Sequence, residues 1–173
     1  MSRSKTVNNL LFDWDSLTEL EIIELINPMP WKLIRWIASN HPDNKTRKFL
    51  LRFTNIEIGK GTVINQNIVI SDNYKPLLKI GERVAISPNV TFICASGPNN
   101  SMLKDNSYVN SKLICEKEII IGDDVWIGAN VVMLPGVKVG NFSIVGAGSI
   151  VTKDLESNTI YAGHPLKRIN YFI

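Results

Sequence analysis

Few residues in this chain are of the types that carry out acid–base or metal chemistry near neutral pH. The 173-residue sequence contains two histidines, His41 and His164, and two cysteines, Cys94 and Cys115. A catalytic zinc ion generally takes three protein ligands and leaves one position open, and neither pair has metal-ligand spacing. We therefore predict no metal site, and we expect both thiols to be free and reduced.

The composition bounds the kind of protein that can hold these residues. A formal net charge of +3, without a long basic run, does not favour a nucleic-acid partner. No apolar stretch reaches the roughly 18 residues that span a membrane, and the N-terminus MSRSKTVNNLLFDWD lacks an apolar signal core. The sequence therefore predicts one main domain in the cytoplasm.

The stretch that begins at Ile121 repeats every six residues and must position whatever chemistry the chain has. Cut into sixes, it gives IGDDVW, IGANVV, MLPGVK, VGNFSI, VGAGSI and VTKDLE. The first position is always apolar, and the second is Gly in four of the six units. Such a period is typical of a β-helix, whose units must stack to bury their apolar faces. Ordinary strands with their turns recur every 8 to 12 residues or so, which argues against an antiparallel sheet. We expect the second-position Gly to allow a turn conformation that is closed to other residues.

The same period occurs earlier in the chain. Ile58, Ile64 and Ile70 are in phase, the pattern shifts across YKPLL, and it resumes at Ile80. The segment 98–118 then breaks the phase. A loop of about 20 residues inside a compact solenoid is usually functional or disordered.

The run IGDDVWIGANVVMLPGVKVGNFSIVGAGSIVTKD, followed by YAGHPLKRI, resembles the C-terminal half of the hexapeptide-repeat acyltransferases. The resemblance is to the branch of maltose, galactoside and polysaccharide O-acetyltransferases. It implies an all-β solenoid, a left-handed parallel β-helix with three hexapeptides per coil, and a homotrimer with acetyl-CoA between subunits. Six units before the loop and six after it then make about four coils. The handedness follows from the resemblance alone, because crossovers are normally right-handed. Zinc-dependent γ-class carbonic anhydrases share this fold, but two distant histidines cannot supply their three ligands.

The chain divides into three predicted parts: an N-terminal helical cap over residues 1–54, a β-helix over 55–160, and a C-terminal tail over 161–173 that completes the CoA site. We expect residues 1–15 to pack loosely or to await a partner subunit. Ser16 with Glu19 matches a capping box that opens the first helix, and WKLIRWIAS and KTRKFLLRF predict two more. These basic helices could rest on a membrane, but we favour capping of the open end of the solenoid.

The resemblance also implies which residues bind the co-substrate. The residue after Trp-Ile-Gly and the middle residue of Gly-Ala-Gly line the pantetheine channel, and the Thr-Lys pair and the tail reach the nucleotide. The predicted acetyl-CoA residues are Trp126, Ala129, Ala147, Thr152, Lys153, Pro165, Lys167 and Arg168. Positive charge suits the polyanionic end of CoA, because charge-assisted contacts are strong.

The catalytic end departs from the family. Acetyl transfer to a hydroxyl needs a base for the hydroxyl proton and donors for the oxyanion, and the family uses a His. Alignment on ISPNVTFICAS puts Gly97 at that position. By residue type alone, Asp72, Asp105 and Glu116 are the candidates for a different base, while the predicted acceptor-binding residues are Asn65, Asp72 and Asn73.

The sequence thus predicts an O-acetyltransferase that moves acetyl from acetyl-CoA to a hydroxyl of a sugar or polysaccharide precursor. Three alternatives stay open because the family His is absent. The enzyme uses another base, it turns over slowly without one, or the domain binds acyl-CoA or a sugar without catalysis. Loss of a general base typically costs 10²- to 10⁴-fold in rate.

Overall fold

The computed structural model describes residues 7–172, in which helices precede all strands. The longer three helices each pack one face inward, since two to four buried side chains recur on each at helical spacing. The helices are α1 (Val7–Phe12), α2 (Glu19–Ile26), α3 (Trp31–Asn40) and α4 (Asn44–Phe53), with a 3₁₀ turn at Trp14–Ser16 between the first two.

Sixteen short strands follow in the described residues, and most of them wind in turn through three parallel sheets. They are β1 (Glu57–Ile58), β2 (Val63–Ile64), β3 (Val69–Ser71), β4 (Leu78–Ile80), β5 (Ala85–Ile86), β6 (Thr91–Ile93), β7 (Ala95–Ser96), β8 (Cys115–Glu116), β9 (Ile119–Ile121), β10 (Trp126–Ile127), β11 (Val132–Met133), β12 (Lys138–Val139), β13 (Ile144–Val145), β14 (Ile150–Val151), β15 (Thr159–Ala162) and β16 (Lys167–Tyr171). Sheet A has the order β1-β4-β9-β12 and sheet C the order β14-β11-β6-β3. Sheet B has the order β16-β15-β13-β10-β5-β2, in which only β16 is antiparallel.

The phase of the six-residue repeat is confirmed by the register of these sheets. In sheet B, for example, Ile64 pairs with Ile86, Ile86 with Ile127, and Ile127 with Val145. Every first-position residue from Ile121 onward is buried, as is every fifth-position residue. The core is therefore a column of stacked apolar side chains inside three flat walls.

The role predicted for the second-position glycines is wrong. The left-handed backbone conformation falls at the fourth position instead, at Asp124 and Asn130 among others. At the second position, a Cβ on Gly128 would lie 2.5 Å from the Ala147 backbone nitrogen in the next turn of the helix. Gly is required there because successive turns stack too closely to admit a side chain, which is the packing use of glycine.

The helical cap closes the first coil through its basic side chains. Arg47 Nε donates to the Ile64 carbonyl at 2.8 Å, and Lys48 Nζ donates to the Thr62 carbonyl at 2.7 Å. Arg52 Nη2 donates to the Ile58 carbonyl at 2.7 Å. An edge strand with unpaired carbonyls invites pairing with another chain, and these contacts satisfy that edge. Three basic side chains of α4 therefore contact backbone carbonyls of the first coil.

Two predictions about the N-terminus are corrected. The capping box belongs to Thr18 and Glu21, because Ser16 lies in the preceding 3₁₀ turn, so the helix begins two residues later than predicted. The predicted loose segment 1–15 includes Leu10, which is fully buried, and its carbonyl lies 2.9 Å from His41 Nε2. Residues 1–6 lie outside the described part of the chain.

The phase-breaking segment 98–118 begins just after β7 and ends just after β8. These two strands pair antiparallel, so that Ala95 faces Glu116 and Ser96 faces Cys115. Between them lie a 3₁₀ turn at Met102–Asp105 and a π-helical turn at Val109–Leu113. The pairing closes the base of the excursion and fixes its first and last residues beside sheet C.

Candidate functional site

A groove of about 460 Å³ lies between the outer side of sheet C and the β7–β8 pair. Its size is within the range of about 300 to 1,000 Å³ that is usual for small-ligand sites. The groove is lined by Val69, Ser71, Asn73, Thr91, Ile93, Ala95, Ser96, Gly97, Asn99, Ile114, Cys115 and Glu116. The structure therefore brings the predicted His position, Gly97, together with the acceptor candidate Asn73 and the base candidate Glu116.

Gly97 occupies open space within this groove. Its φ is outside the left-handed region, and a Cβ built on it would have only one neighbour within 4 Å, Ile114 Cγ2 at 3.8 Å. Neither backbone conformation nor crowding requires glycine there. The room that a larger side chain would take is part of the groove.

Glu116 is held at the groove by two side chains from the turn that follows β3. Asn73 Nδ2 donates to Glu116 Oε2 at 2.9 Å, and Lys75 Nζ donates to the other carboxylate oxygen. These hydrogen bonds, that from Lys75 first and that from Asn73 second, lower the pKa of Glu116 below its ordinary value. The carboxylate is therefore charged at neutral pH and oriented, and it is a weaker base than a free carboxylate would be.

The other two base candidates lie elsewhere. Asp72 is 2% exposed and forms an ion pair with Arg35, whose Nη2 lies 2.9 Å from Asp72 Oδ2. This burial differs from the prediction that Asp72 faces an acceptor, because the turn at β3 directs its side chain toward α3 and not toward the groove. Asp105 is exposed in the 3₁₀ turn of the loop and does not line the groove.

Asn65 also lies apart from the groove. It follows β2 at the corner between sheets B and C, and its Nδ2 donates to the Ile86 carbonyl of the next coil at 2.8 Å. Its amide is engaged in the stacking of successive turns. Of the three predicted acceptor residues, the structure therefore places only Asn73 at the groove.

The two residues predicted to line the pantetheine channel come together in stacked turns. Ala129 and Ala147 follow β10 and β13 at the corner between sheets B and C, and the Gly148 N–H donates to the Ala129 carbonyl at 2.8 Å. Trp126, on the outer side of sheet B, is 56% exposed. A ligand along this corner would meet backbone groups and a large aromatic face.

The residues predicted to reach the nucleotide lie at two other places. Thr152 and Lys153 are exposed directly after β14, at the corner between sheets C and A. Lys167 and Arg168 belong to the exposed strand β16, after the His164–Pro165 turn. Arg168 contacts Glu156, with an Nη1–Oε2 distance of 3.1 Å, so its charge is partly compensated within the chain.

The remaining histidines and cysteines have different environments. His41 is buried in the cap, while His164 is exposed and does not line the groove. Burial raises the pKa of the Cys94 thiol to about 12, whereas Cys115 lines the groove. Within residues 7–172, no group of three or more His, Cys, Asp or Glu side chains is placed to hold a metal ion. Every helix in that part of the chain is too short or too polar to cross a bilayer.

Sequence reasoning missed Lys75 and Arg35. Lys75 lies in the segment YKPLL, where the six-residue period shifts, and that shift was the only signal that this turn differs from the others. Arg35 lies inside an ordinary amphipathic helix, where nothing local distinguishes it from a solvated residue.

Comparison with known proteins agrees with this architecture. The bacterial transferase hexapeptide family (six repeats) matches residues 118–153. The galactoside O-acetyltransferase of Escherichia coli (strain K12) is 42% identical over 116 residues, which cover 67% of this chain and 54% of that protein. The chain spans about half the length of the curated relatives it matches.

Two solved structures are similar over most of the chain. A galactoside acetyltransferase in complex with coenzyme A has a TM-score of 0.66 and 32% identity, over 83% of this chain and 79% of that one. A hexapeptide-repeat-containing acetyltransferase from Vibrio cholerae O1 biovar eltor, complexed with acetyl coenzyme A, has a TM-score of 0.66 and 26% identity, over 91% of this chain and 100% of that one. These neighbours imply that the β-helix is left-handed. The chain belongs to the hexapeptide-repeat acyltransferases, in the branch that includes the galactoside and maltose O-acetyltransferases.

Proposed function

We propose that this protein transfers acetyl from acetyl-CoA to a hydroxyl of a sugar or polysaccharide precursor. The observation that carries the proposal is the groove on sheet C, which contains Gly97, Asn73 and Glu116 in a chain of this family. Solved relatives with acetyl coenzyme A or coenzyme A support the choice of co-substrate. Because acetyl-CoA is a cytoplasmic metabolite, we propose that the protein acts in the cytoplasm.

The co-substrate would follow the corner between sheets B and C. Backbone groups at Ala129 and Ala147 would contact the pantetheine arm, with Trp126 beside them. Thr152 and Lys153, with Pro165, Lys167 and Arg168 in the tail 161–173, would meet the nucleotide. Lysine and arginine suit its phosphates because charge-assisted hydrogen bonds are about twice as strong as neutral ones.

In this proposal, Glu116 is the general base that accepts the proton of the acceptor hydroxyl. The hydroxyl oxygen attacks the thioester carbonyl carbon, and the carbon–sulfur bond breaks. The hydroxyl proton passes to the Glu116 carboxylate and then to the CoA sulfur, which leaves as a thiol. Because Lys75 and Asn73 lower the pKa of Glu116, its basicity is small, and we expect a slow enzyme whose rate depends mainly on positioning.

The proposed assembly is a homotrimer. The outward row of sheet B consists of Val63, Ala85, Trp126, Ile144 and Ile160, all apolar. Sheet C presents Val69, Thr91, Val132 and Ile150, whereas sheet A presents Glu57, Lys79 and Lys138 around Ile120. Two apolar faces and one charged face fit a closed ring in which each subunit contacts two neighbours.

One observation favours a second candidate, a domain that binds acyl-CoA or a sugar without turnover. The family His position holds Gly97, and Glu116, the carboxylate among the residues that line the groove, is held in an ion pair with Lys75. On this alternative the groove would still bind its ligands. Acetyl-CoA consumption would then stay at the background rate with every acceptor.

The deciding experiment measures acetyl-CoA consumption with a panel of sugars beside direct CoA binding. Sugar-dependent consumption supports the enzyme, whereas CoA binding without consumption supports the binding domain. Lys153→Glu should weaken CoA binding, and the matched control Lys60→Glu, at an exposed turn of the first coil, should not. Failure of the wild type to bind CoA would overturn the enzyme and the acyl-CoA-binding domain, and it would leave only a domain that binds a sugar.

A further inference from the structure

We propose that Arg35 and Asp72 are positioning residues, which hold the turn that aims Asn73 and Lys75 at Glu116. The inference rests on the proposed function, because it assigns the acceptor end of the same groove. It means that Arg35, a residue of the helical cap, determines the geometry of a site on the β-helix.

The turn has a backbone conformation that is costly without support. Asn73 and Tyr74 are consecutive non-glycine residues with φ of 52° and 58°. At Asn73 this conformation is the one found at other fourth positions of the repeat, but it is uncommon for an aromatic residue such as Tyr74. The conformation of Tyr74 therefore persists only with support from its surroundings.

Asp72 supplies much of that support from inside the turn. Its Oδ1 accepts the Tyr74 N–H at 3.0 Å, and its carbonyl accepts the Lys75 N–H at 3.0 Å. The side chain is 2% exposed, so an unpaired carboxylate there would carry a large desolvation cost.

Arg35 compensates this buried charge from helix α3. Its Nη2 donates to Asp72 Oδ2 at 2.9 Å and its Nη1 to Oδ1 at 3.3 Å, which is a two-pronged contact. Nη2 also donates to the Thr54 carbonyl at 2.7 Å, and the guanidinium lies 5.4 Å from the centre of the Tyr74 ring. The Trp31 ring meets the same Tyr74 edge-on at 6.1 Å. The turn is therefore held by Asp72 from within and by Arg35 and Trp31 of α3 from outside.

The conformation of this turn affects the groove, because Asn73 and Lys75 lie one and three residues after Asp72. Asn73 and Lys75 flank Tyr74, and both donate to the carboxylate of Glu116. If the turn relaxes to an ordinary conformation, these two donors move away from Glu116. The carboxylate and its neighbour Cys115, which also lines the groove, then lose their fixed geometry.

The test uses Cys115 as a reporter of the groove and needs no acceptor. Cys94 is fully buried, so a maleimide should label only Cys115 in the folded protein. Asp72→Asn should change the labelling rate several-fold while circular dichroism and CoA affinity stay native. The matched control is Asp124→Asn, which breaks an exposed two-pronged pair with Arg83. If Asp72→Asn does not fold, Arg35→Lys keeps the charge but loses the two-pronged contact, and it should change labelling in the same direction.

The second arm measures acetyl transfer with the sugar that the wild type prefers. Asp72→Asn should lower kcat/KM for the sugar by roughly 10- to 100-fold, since a misplacement of about 1 Å can cost that much, and leave KM for acetyl-CoA unchanged. In a Glu116→Gln background the same substitution should have little further effect, because coupled residues are non-additive.

The inference would be overturned if Cys115 labelling were unchanged in folded Asp72→Asn or Arg35→Lys. It would also be overturned if the effects of Asp72→Asn and Glu116→Gln on kcat/KM were additive. If the wild type acetylates no sugar, the proposed function fails, and the labelling arm alone decides whether the pair positions the groove.

Discussion

The side-chain amide of Asn73 lies 2.9 Å from the carboxylate of Glu116, although 43 residues separate them in the chain. One residue belongs to the first coil and the other to the end of the inserted segment. Both residues line the groove. In the proposed function, the oriented Glu116 carboxylate takes the role of the family's single imidazole, and the first two predictions test that proposal.

Gly97→His should raise acetyl transfer to a sugar by some part of the roughly 10²- to 10⁴-fold that a positioned base contributes. The structure removes the main steric objection, because Gly97 has an ordinary φ and open space around its Cβ position. CoA affinity should be nearly unchanged, and Gly97→Ala serves as the control for loss of glycine alone. Equal rates for the His and Ala variants, with intact CoA binding, would contradict this prediction and would mean that the existing base already suffices.

The pH dependence of transfer should report Glu116. Its pKa lies below the ordinary value because of Lys75 and Asn73, so the active carboxylate form persists at neutral pH and is lost only in acid, as pH falls through that lowered pKa. Lys75→Met removes the larger cause and should move the acid limb of kcat/KM to higher pH. Lys104→Met, on the exposed loop, should leave the limb in place. If the acid limb does not move in Lys75→Met, Glu116 is not the general base.

The two thiols should contribute differently to stability at alkaline pH. Burial raises the pKa of Cys94 to about 12 from an ordinary 9.0, so between these values the folded chain keeps a proton that the unfolded chain has lost. The free energy of unfolding should therefore fall as pH rises from about 9 to 12, by linkage. Cys94→Ala should flatten this decline in denaturant titrations, whereas Cys115→Ala should not. An equal slope in all three proteins would contradict the prediction.

Assembly should depend on the apolar faces. Val63→Glu adds a charge to the outer row of sheet B, where the side chain is 45% exposed in the single chain. It should leave the fold intact and shift sedimentation from trimer to monomer, because an unpaired charge at an interface is costly. The matched substitution Lys138→Glu, on sheet A, should leave the trimer unchanged. A wild type that sediments as a monomer at micromolar concentration would refute the assembly.

Ile127→Asp should prevent folding. The side chain is fully buried at a first position of the repeat, where a carboxylate would lack any partner, and such burial costs several kcal/mol or more. Trp126→Asp, one residue earlier and outward-facing, should give soluble β-rich protein by circular dichroism. The outcome that would contradict the stacking of first positions is a folded Ile127→Asp variant.

The six-residue period by itself determined which residues face the core. Ile64, Ile127 and Val145 are buried as their position in the repeat predicts, because a strand of two or three residues between fixed turns leaves one orientation for each side chain. The period also placed Ala129 and Ala147 at one corner. These are local consequences of spacing, so the sequence suffices for them.

Only the tertiary structure decided how the groove is made. The burial of Asp72 depends on where α3 lies against the first coil, and the meeting of Asn73 with Glu116 depends on the path of the segment 98–118. Neither has a periodic signal, because each contact joins a residue of the repeat to a distant residue outside it. The same physical reason explains the second-position glycines: their lack of a side chain serves a contact with the next coil, which a single repeat unit cannot reveal.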